Sequence, residues 1–561
     1  MPPRTPPRQL RKEILEVFKR QPNKPLNHKQ VASTLGILNH DTRRKIMTVM
    51  EEMGRDGRLE SLGRGKFILA EVPQNERPIG TIQITRHGRG FVMMPDGNEI
   101  SIPKGYTGTA FWGDTVEVDW VRKGRRHTPR VARIVERARK QYVVVIERVR
   151  DYAFGYPSDQ RLHANFFIAA HNLGGAEDGQ KVIIEMLSWD DPSDAPAARV
   201  VEVLGRPGDH EVEMHAILAE YGLPYEFPDH VLAAAAAIPR EVPTEELARR
   251  RDFRDVTTLT IDPVDAKDFD DALSLKKLPN GNWEVGVHIA DVTHYLRPGT
   301  VLDEEARQRA TSVYLVDRTI PMLPEVISNN LASLQPERVR YAMSAFIEFT
   351  EEGARVKTEV KRTAIQSKRR FTYEEVDDFL ERPIAWRRKL DHQTFSLLER
   401  MYKLAMMLRA RRNRDGAIEL HLPEVKVELD GKGRVCGAKT AKHTESHQII
   451  EEFMLAANEA VAEMFDDSGL PFLRRVHPQP NPDKLEELTG FVRGLGIESD
   501  SLVSRFEIQR LVEKVKGLPQ QQAVNFALLK SMSKAKYSPE EDGHYALGSD
   551  AYCHFTSPIR R

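Results

Sequence analysis

The 561-residue chain reads as a multidomain α+β protein: an N-terminal winged helix, two OB-fold β-barrels of cold-shock type, and a large mixed α/β domain. Three observations point there. The length exceeds what one hydrophobic core organises, so roughly three to five domains are expected. The apolar spacing changes character along the chain, from helical in the first stretch to alternating from residue 77 to about 205, then to a mixture of long helical and strand segments after 251. The charge is unevenly placed. Residues 1–140 hold 28 Lys and Arg against 15 Asp and Glu, a net of +13, and the remainder carries the balancing −13. A basic front is the electrostatic footprint of phosphate binding, although a solvated surface of mixed charge gives the same count.

Composition narrows the classes. Hydrophobic residues make up 40% of the chain, yet no run of about 18 apolar residues occurs, and the alanine-rich stretch Val231–Ile238 is far too short to span a bilayer. The N-terminus MPPRTPPRQLRK has no apolar signal core behind its charges. Cys436 and Cys553 are the two cysteines, which excludes a disulfide framework and a cysteine zinc site and suits a reducing cytoplasm.

Residues 8–72 form the first element. Leu10, Ile14, Leu15 and Phe18 share a helical face, Asn27 caps a second helix that stops at Gly36, and a third helix carries Ile46, Val49 and Met50. RLESLGRGKFILA then alternates around Gly63 and Gly65 as a hairpin does. Three helices and a hairpin predict a winged helix, with Arg43, Arg44, Lys45, Arg64 and Lys66 as nucleic-acid contacts; the same shape also serves protein docking. Residues 77–138 switch to period-2 strands, broken by Pro-Asp-Gly and glycine turns. GRGFV places Phe91 on a sheet as a base-stacking platform, or as an ordinary core aromatic, with Arg86, Arg89 and Lys104 for phosphates. Residues 139–205 predict a second, more degenerate barrel. Residues 206–250 are proline-punctuated and helical, a connector. Residues 251–561 form the mixed α/β domain.

That last domain carries the chemistry. TLTIDPVDAKDFDDALSL starts as a strand and then sets Asp262, Asp268, Asp270 and Asp271 within ten residues, with Asp265 between them. Such a cluster repels itself, and burial raises its pKa values unless a hard cation is bound. Mg²⁺ prefers oxygen ligands, and a pair of such ions suits phosphodiester hydrolysis. An acidic calcium loop is the competing reading. The EF-hand pattern fails, since counting from Asp262 puts Lys267 where glycine is needed and Leu273 where glutamate is needed. His288 and His294 have no partner at ligand spacing and read as structural.

The aspartate segment is similar to the first catalytic motif of the ribonuclease II and ribonuclease R family. VGVHIADVTHYL, ATSVYLVDRTIPMLPEVISNNLASLQP, HQIIEEFMLAANE and HFTSPIRR follow in the order that family shows. The winged helix and paired barrels resemble its ribonuclease R branch, and the resemblance covers residues 8 to 561. It implies that residues 251–561 are an RNB catalytic domain in which Asp262, Asp268, Asp270 and Asp271 bind or order the metals. Asp270 is then the carboxylate most directly tied to turnover, and Asp265 falls where the motif requires nothing. Tyr314 resembles the aromatic that stacks on the terminal nucleotide, and Arg560 the arginine that supports the scissile phosphate. Glu451 and Glu452 are both candidates to meet the 2′-hydroxyl.

The activity implied is hydrolytic, processive 3′-to-5′ degradation of RNA, single-stranded or with a 3′ overhang, to nucleoside 5′-monophosphates. It would use two Mg²⁺, with Mn²⁺ as a substitute, in the cytoplasm and without a membrane. The alternative is a non-catalytic RNA-binding regulator built from the barrels and the winged helix; retention of all four aspartates speaks against it. Because the family continues beyond the SPIRR motif, the rest of the catalytic domain and a further RNA-binding OB domain are expected after Arg561.

Overall fold

The computed structural model describes residues 7–557, apart from 21–23, 38–39, 56–58, 62–64, 70–76, 86, 124–125, 160, 421 and 432. The chain divides into two units, Met1–Tyr221 and Gly222–Arg561.

In the first unit, Leu10, Ile14 and Phe18 recur at helical spacing, and the helix Pro7–Arg20 buries all three. The Asn27 side chain accepts the backbone N–H groups of Lys29 and Gln30, and the Gln30 side chain accepts the Asn27 N–H in return. This reciprocal cap starts the helix His28–Thr34, and such caps contribute about 0.5–2 kcal/mol. A third helix, His40–Arg55, buries Ile46, Val49 and Met50. Strands Leu26–Asn27, Lys66–Leu69 and Leu59–Ser61 join in that order, completing a winged helix. Lys45 and Lys66 are exposed; the side chains of Arg43 and Arg44, and residues Arg64 and Arg86, lie outside the described residues.

Five antiparallel strands follow, in the order Glu99–Ile102, Gly90–Met93, Ile79–Ile84, Thr115–Lys123 and Arg126–Glu136. The next five, between Gln141 and Gly205, close into a hydrogen-bonded barrel. Phe111, from the turn of the first sheet, enters the core of this barrel against Tyr142, Phe166 and Trp189. Buried Asp114 fixes that turn by accepting the N–H groups of Phe111 and Ala138 and the Arg137 guanidinium. The proline-punctuated stretch 206–250 divides. Helix His210–Glu220 packs Ala216 against Val143 and Ile183 of the barrel, while helix Asp229–Ala236 buries Val231 and Ala235 in the second unit.

The second unit is built on a seven-stranded sheet. Its order is Arg251–Phe253, Arg355–Gln366, Val339–Phe349, Trp283–Ala290, Asp271–Lys277, Leu259–Asp262 and Arg369–Thr372. The middle strands are antiparallel, and the two outer pairings are parallel. Alternation sends Leu273, Val285, Val287 and Ile289 to one face, where helices Tyr373–Glu381, His392–Arg414 and Glu445–Asp467 cover them. Ala272 and Ala290 go to the other face, against Val231, Leu302 and Ile327. A smaller helical core around Leu485, Val492, Ile508, Leu511 and Leu528 follows. Among the described residues, no helix is long and apolar enough to cross a membrane.

One polar seam runs through this sheet. His288 is buried, with Nε2 at 2.9 Å from Ser274 Oγ and Nδ1 at 2.7 Å from Ser344 Oγ, which in turn meets Thr363 Oγ1 at 2.7 Å. Burial drives the imidazole pKa down to about 3, so the ring stays neutral. Gly286 makes room for the seam, since a Cβ there would lie 2.8 Å from His288 Nε2 and closer still to Ser274 Oγ. Gly286→Ala is therefore expected to destabilise the protein by about 1–3 kcal/mol, as overpacking does, and a denaturant titration measures it. An unchanged midpoint would mean that the seam yields freely.

Candidate active site

Strand Leu259–Asp262 ends on Asp262, and its antiparallel neighbour Asp271–Lys277 begins on Asp271. The connection between them, residues 263–270, carries Asp268 and Asp270. Leu259, Thr260 and Ile261 are buried, and they draw Asp262 in with them until it is only 6% exposed. Asp268, Asp270 and Asp271 are half-buried, and Phe269 between them is buried in the core with Ala272. Asp265 is exposed.

The four carboxylates act on one another. Burial raises the Asp262 pKa to about 6; the Thr260 hydroxyl and Arg370 oppose the rise, and the charges of Asp270 and Asp268 add to it. Burial and then the charges of Asp262 and Asp270 raise Asp271 to about 8. Asp262 Oδ2 is buried with no hydrogen-bond partner. An all-oxygen donor set, partly dehydrated and holding an orphaned carboxylate oxygen, suits the chemistry of a hard divalent cation.

The loop carrying them is held from both sides. Arg370 donates through Nη2 to the carbonyls of Pro263 and Val264, the latter at 3.0 Å, with its guanidinium over the Phe269 ring. Ser333 Oγ accepts the Phe269 N–H at 3.0 Å and donates to the Lys267 carbonyl at 2.9 Å. The Leu334 N–H reaches the Phe269 carbonyl at 2.9 Å. Sequence reasoning singled out neither Arg370 nor Ser333, although Ser333 lies in the NNLASLQP stretch that carried the family resemblance.

A second element comes close through Tyr373. Its acidity is suppressed by burial and then by the charges of Asp271 and Asp262, and its ring stacks on His447 with centroids 3.9 Å apart. His447 opens the helix that also carries Glu451 and Glu452. These two differ sharply. Glu452 is 2% exposed and pairs with Arg412 at 2.6 Å, whereas Glu451 is half-buried, with Arg409 and His443 at 3.8 and 3.6 Å. Further along the same helix, Asn458 Oδ1 accepts the N–H groups of Phe555 and Thr556 at 2.8 and 2.9 Å, and Nδ2 donates to Tyr552 at 3.0 Å. These bonds hold the backbone of residues 555–556. Arg560 itself lies outside the described residues.

The other site residues are placed as follows. Tyr314 is 62% exposed on the hairpin Val313–Tyr314 with Thr319–Ile320. His294 sits beside Arg250 and Glu246, and Arg250 also pairs with buried Asp291 at 2.7 Å. In the first unit, Phe91 is half-buried on the opposite side of its strand from buried Val92. The exposed Arg89 guanidinium stands 5.6 Å from the ring centroid and bonds Ser101. Lys104 is exposed. The second barrel adds a cluster that sequence reasoning missed: Tyr152, Phe154 and Phe167 meet edge to face or tilted on its second and third strands, with Tyr152 exposed. An alternation of Tyr and Phe in DYAFGY was the available signal.

Carboxylates gathered where two neighbouring strands meet their connecting loop, in a chain that also bears a five-stranded sheet and a closed barrel of OB type, define the class as a metal-dependent nuclease with its own nucleic-acid-binding modules. The comparisons agree. Residues 250–561 match the RNB domain family and residues 154–228 the cold shock domain family. Ribonuclease R of Thermotoga maritima is 39% identical over 96% of this chain and 76% of its own length. The solved structure of Mycoplasma genitalium RNase R in complex with ribose methylated single-stranded RNA superposes with a TM-score of 0.78 at 27% identity, over 86% of this chain and 77% of that one. A structure of the same enzyme in complex with double-stranded RNA gives 0.72 at 28% identity, over 82% and 79%.

The chain belongs to the RNB family of ribonucleases, in its ribonuclease R branch. It is a 3′-to-5′ exoribonuclease that depends on divalent metal, and the alternative of a non-catalytic regulator is not favoured.

Two outcomes follow from the geometry. In chelator, Asp262→Asn is expected to stabilise the protein by about 1–3 kcal/mol, because a charge held at a cost is removed, and to abolish any stabilisation that an added divalent cation gives the parent. Calorimetry with and without metal reads both, and a less stable variant in chelator would show that Asp262 spends its charge on an internal partner. Asn458→Ala leaves two buried N–H groups unpaired and is expected to cost about 1–3 kcal/mol, measured by urea unfolding. Retention of full stability would show that other groups hold the 555–556 segment.

Proposed function

We propose that this exoribonuclease degrades RNA processively to nucleoside 5′-monophosphates, with Asp262, Asp268, Asp270 and Asp271 holding two Mg²⁺ ions for which Mn²⁺ can substitute. The observation that carries the reading is the buried, partnerless oxygen of Asp262 inside a cluster of four carboxylates. Bound there, the cations supply Lewis-acid activation and neutralise charge at the phosphodiester. The chain's own residues bind and orient. Asp270, half-buried between Phe269 and the strand that starts at Asp271, is the carboxylate tied to turnover. Glu451 is favoured over Glu452 for the terminal 2′-hydroxyl, since Glu452 is locked to Arg412 and Glu451 is within reach of solvent. Tyr314, exposed on its hairpin, stacks on the terminal base, and Arg560 supports the phosphate.

Phe91 beneath Arg89, and the Tyr152, Phe154 and Phe167 cluster, give the RNA strand aromatic faces, each stacked base being worth about 1–3 kcal/mol. The single-stranded and double-stranded RNAs bound in the two Mycoplasma structures support RNA as substrate, and a 3′ single-stranded end on a duplex is part of the same reading. Two free cysteines, one exposed and one buried, suit the cytoplasm.

The test follows 3′-labelled and 5′-labelled RNA with Mg²⁺, beside DNA of the same sequence, for the parent and for Asp270→Asn. RNA is expected to shorten from its 3′ end and DNA to persist, because stacking and phosphate contacts ignore the sugar whereas a 2′-hydroxyl contact does not. Asp270→Asn is expected to lose turnover at nearly unchanged RNA affinity, since binding is spread over many contacts. Near-parental degradation by that variant, or equal hydrolysis of DNA, overturns the assignment.

A further inference from the structure

We infer that Arg370 is the positioning residue that keeps the aspartate loop shaped for metal, with Ser333 as its counterpart on the other side. The inference rests on the reading of Asp262, Asp268, Asp270 and Asp271 as ligands. The loop 263–270 is eight residues long and begins and ends against carboxylates that repel one another, so in isolation it would spring open. Arg370 touches both ends of it. Its Nη2 donates to the carbonyls of Pro263 and Val264, the two residues after Asp262, and its guanidinium lies 5.1 Å from the centroid of Phe269, the residue between Asp268 and Asp270.

The arginine is itself held on a rigid element. Strand Arg369–Thr372 pairs in parallel with Leu259–Asp262, Arg370 opposite Thr260 and Thr372 opposite Asp262. On the far side, fully buried Ser333 bonds the Phe269 N–H and the Lys267 carbonyl, and its own carbonyl accepts Arg340 Nε at 2.9 Å. Arg370 and Ser333 thus grip the backbone of the loop rather than its carboxylates. A guanidinium suits the place because it is flat enough to lie over Phe269 while donating at its edge and adding positive charge beside Asp262. Lysine keeps the charge and a donor but loses the plane.

The experiment measures Mn²⁺ binding directly, by the paramagnetic resonance signal of the free ion, and the metal-dependent rise in unfolding temperature. It uses the purified chain, Arg370→Gln, Arg370→Lys, Ser333→Ala and the ligand variant Asp270→Asn, each checked by circular dichroism in chelator. Arg370→Gln and Ser333→Ala are expected to bind Mn²⁺ about 10- to 100-fold more weakly, as loss of groups that orient metal ligands typically does. Arg370→Lys should fall between Arg370→Gln and the parent, and the Arg370 and Ser333 variants should regain most of their kcat at saturating metal. Parental Mn²⁺ affinity in Arg370→Gln, with binding lost in Asp270→Asn, overturns the inference and leaves the ligand assignment standing. If the parent binds no Mn²⁺, both fall. If Arg370→Gln does not fold, Arg370→Lys decides: parental affinity there overturns the clamp, and a weakened one supports it.

Discussion

Holding several carboxylates in one partly buried corner is the constraint around which the site of the second unit is organised. Burial, with the neighbouring carboxylates adding to it, lifts Asp262 to about 6 and Asp271 to about 8 at the junction of two strands. A single hydrogen bond returns about 0.5–1.5 kcal/mol, so the bonds from Ser333, Leu334 and Arg370 can shape the loop but cannot cancel that cost. What remains must come from bound cation and from the packing beneath. The packing is where a strained element needs it: Ile261 and Leu273 lie in one core, Phe269 and Ala272 in the other, so moving the loop means disturbing both faces of the sheet.

Much of this was legible in the sequence because it is local. Helical spacing of Leu10, Ile14 and Phe18, the Asn27 cap, and the density of aspartates after an apolar strand all declare themselves within a dozen residues. What stayed hidden is partnership across long separations. Arg370 meets Pro263 and Val264 from more than a hundred residues away through a parallel pairing that no short-range pattern announces. Phe111 reads as a residue of its own sheet yet fills the neighbouring barrel. The short strand Phe166–Ala169 lacked the length to stand out, so its Phe167 was not seen as the partner of Phe154. Glu451 and Glu452 could not be told apart by motif, since adjacent helical residues point about 100° apart and only the position of Arg412 shows which one is committed.

The alanine run at 231–238 illustrates the same limit from the other side. Composition gave its helical character, and burial of Val231 and Ala235 against the catalytic sheet, beside Leu302 and Ile327, gives its purpose. A stretch that looked like a spacer is therefore partly wall.

The helix Glu445–Asp467 links the remaining motifs into one device. Near its start, His447 stacks on Tyr373, which lies in the field of Asp271 and Asp262. One turn on it presents Glu451, and two turns beyond that Asn458 grips the backbone of Phe555 and Thr556. Glu451, the stacking partner of Tyr373 and the anchor of the 555–556 backbone thus sit on a single helix. Groups carried or gripped by one helix keep their mutual distances without each being fixed separately. The long sequence gap between HQIIEEFMLAANE and HFTSPIRR is then no obstacle to their acting together, because one asparagine side chain closes it.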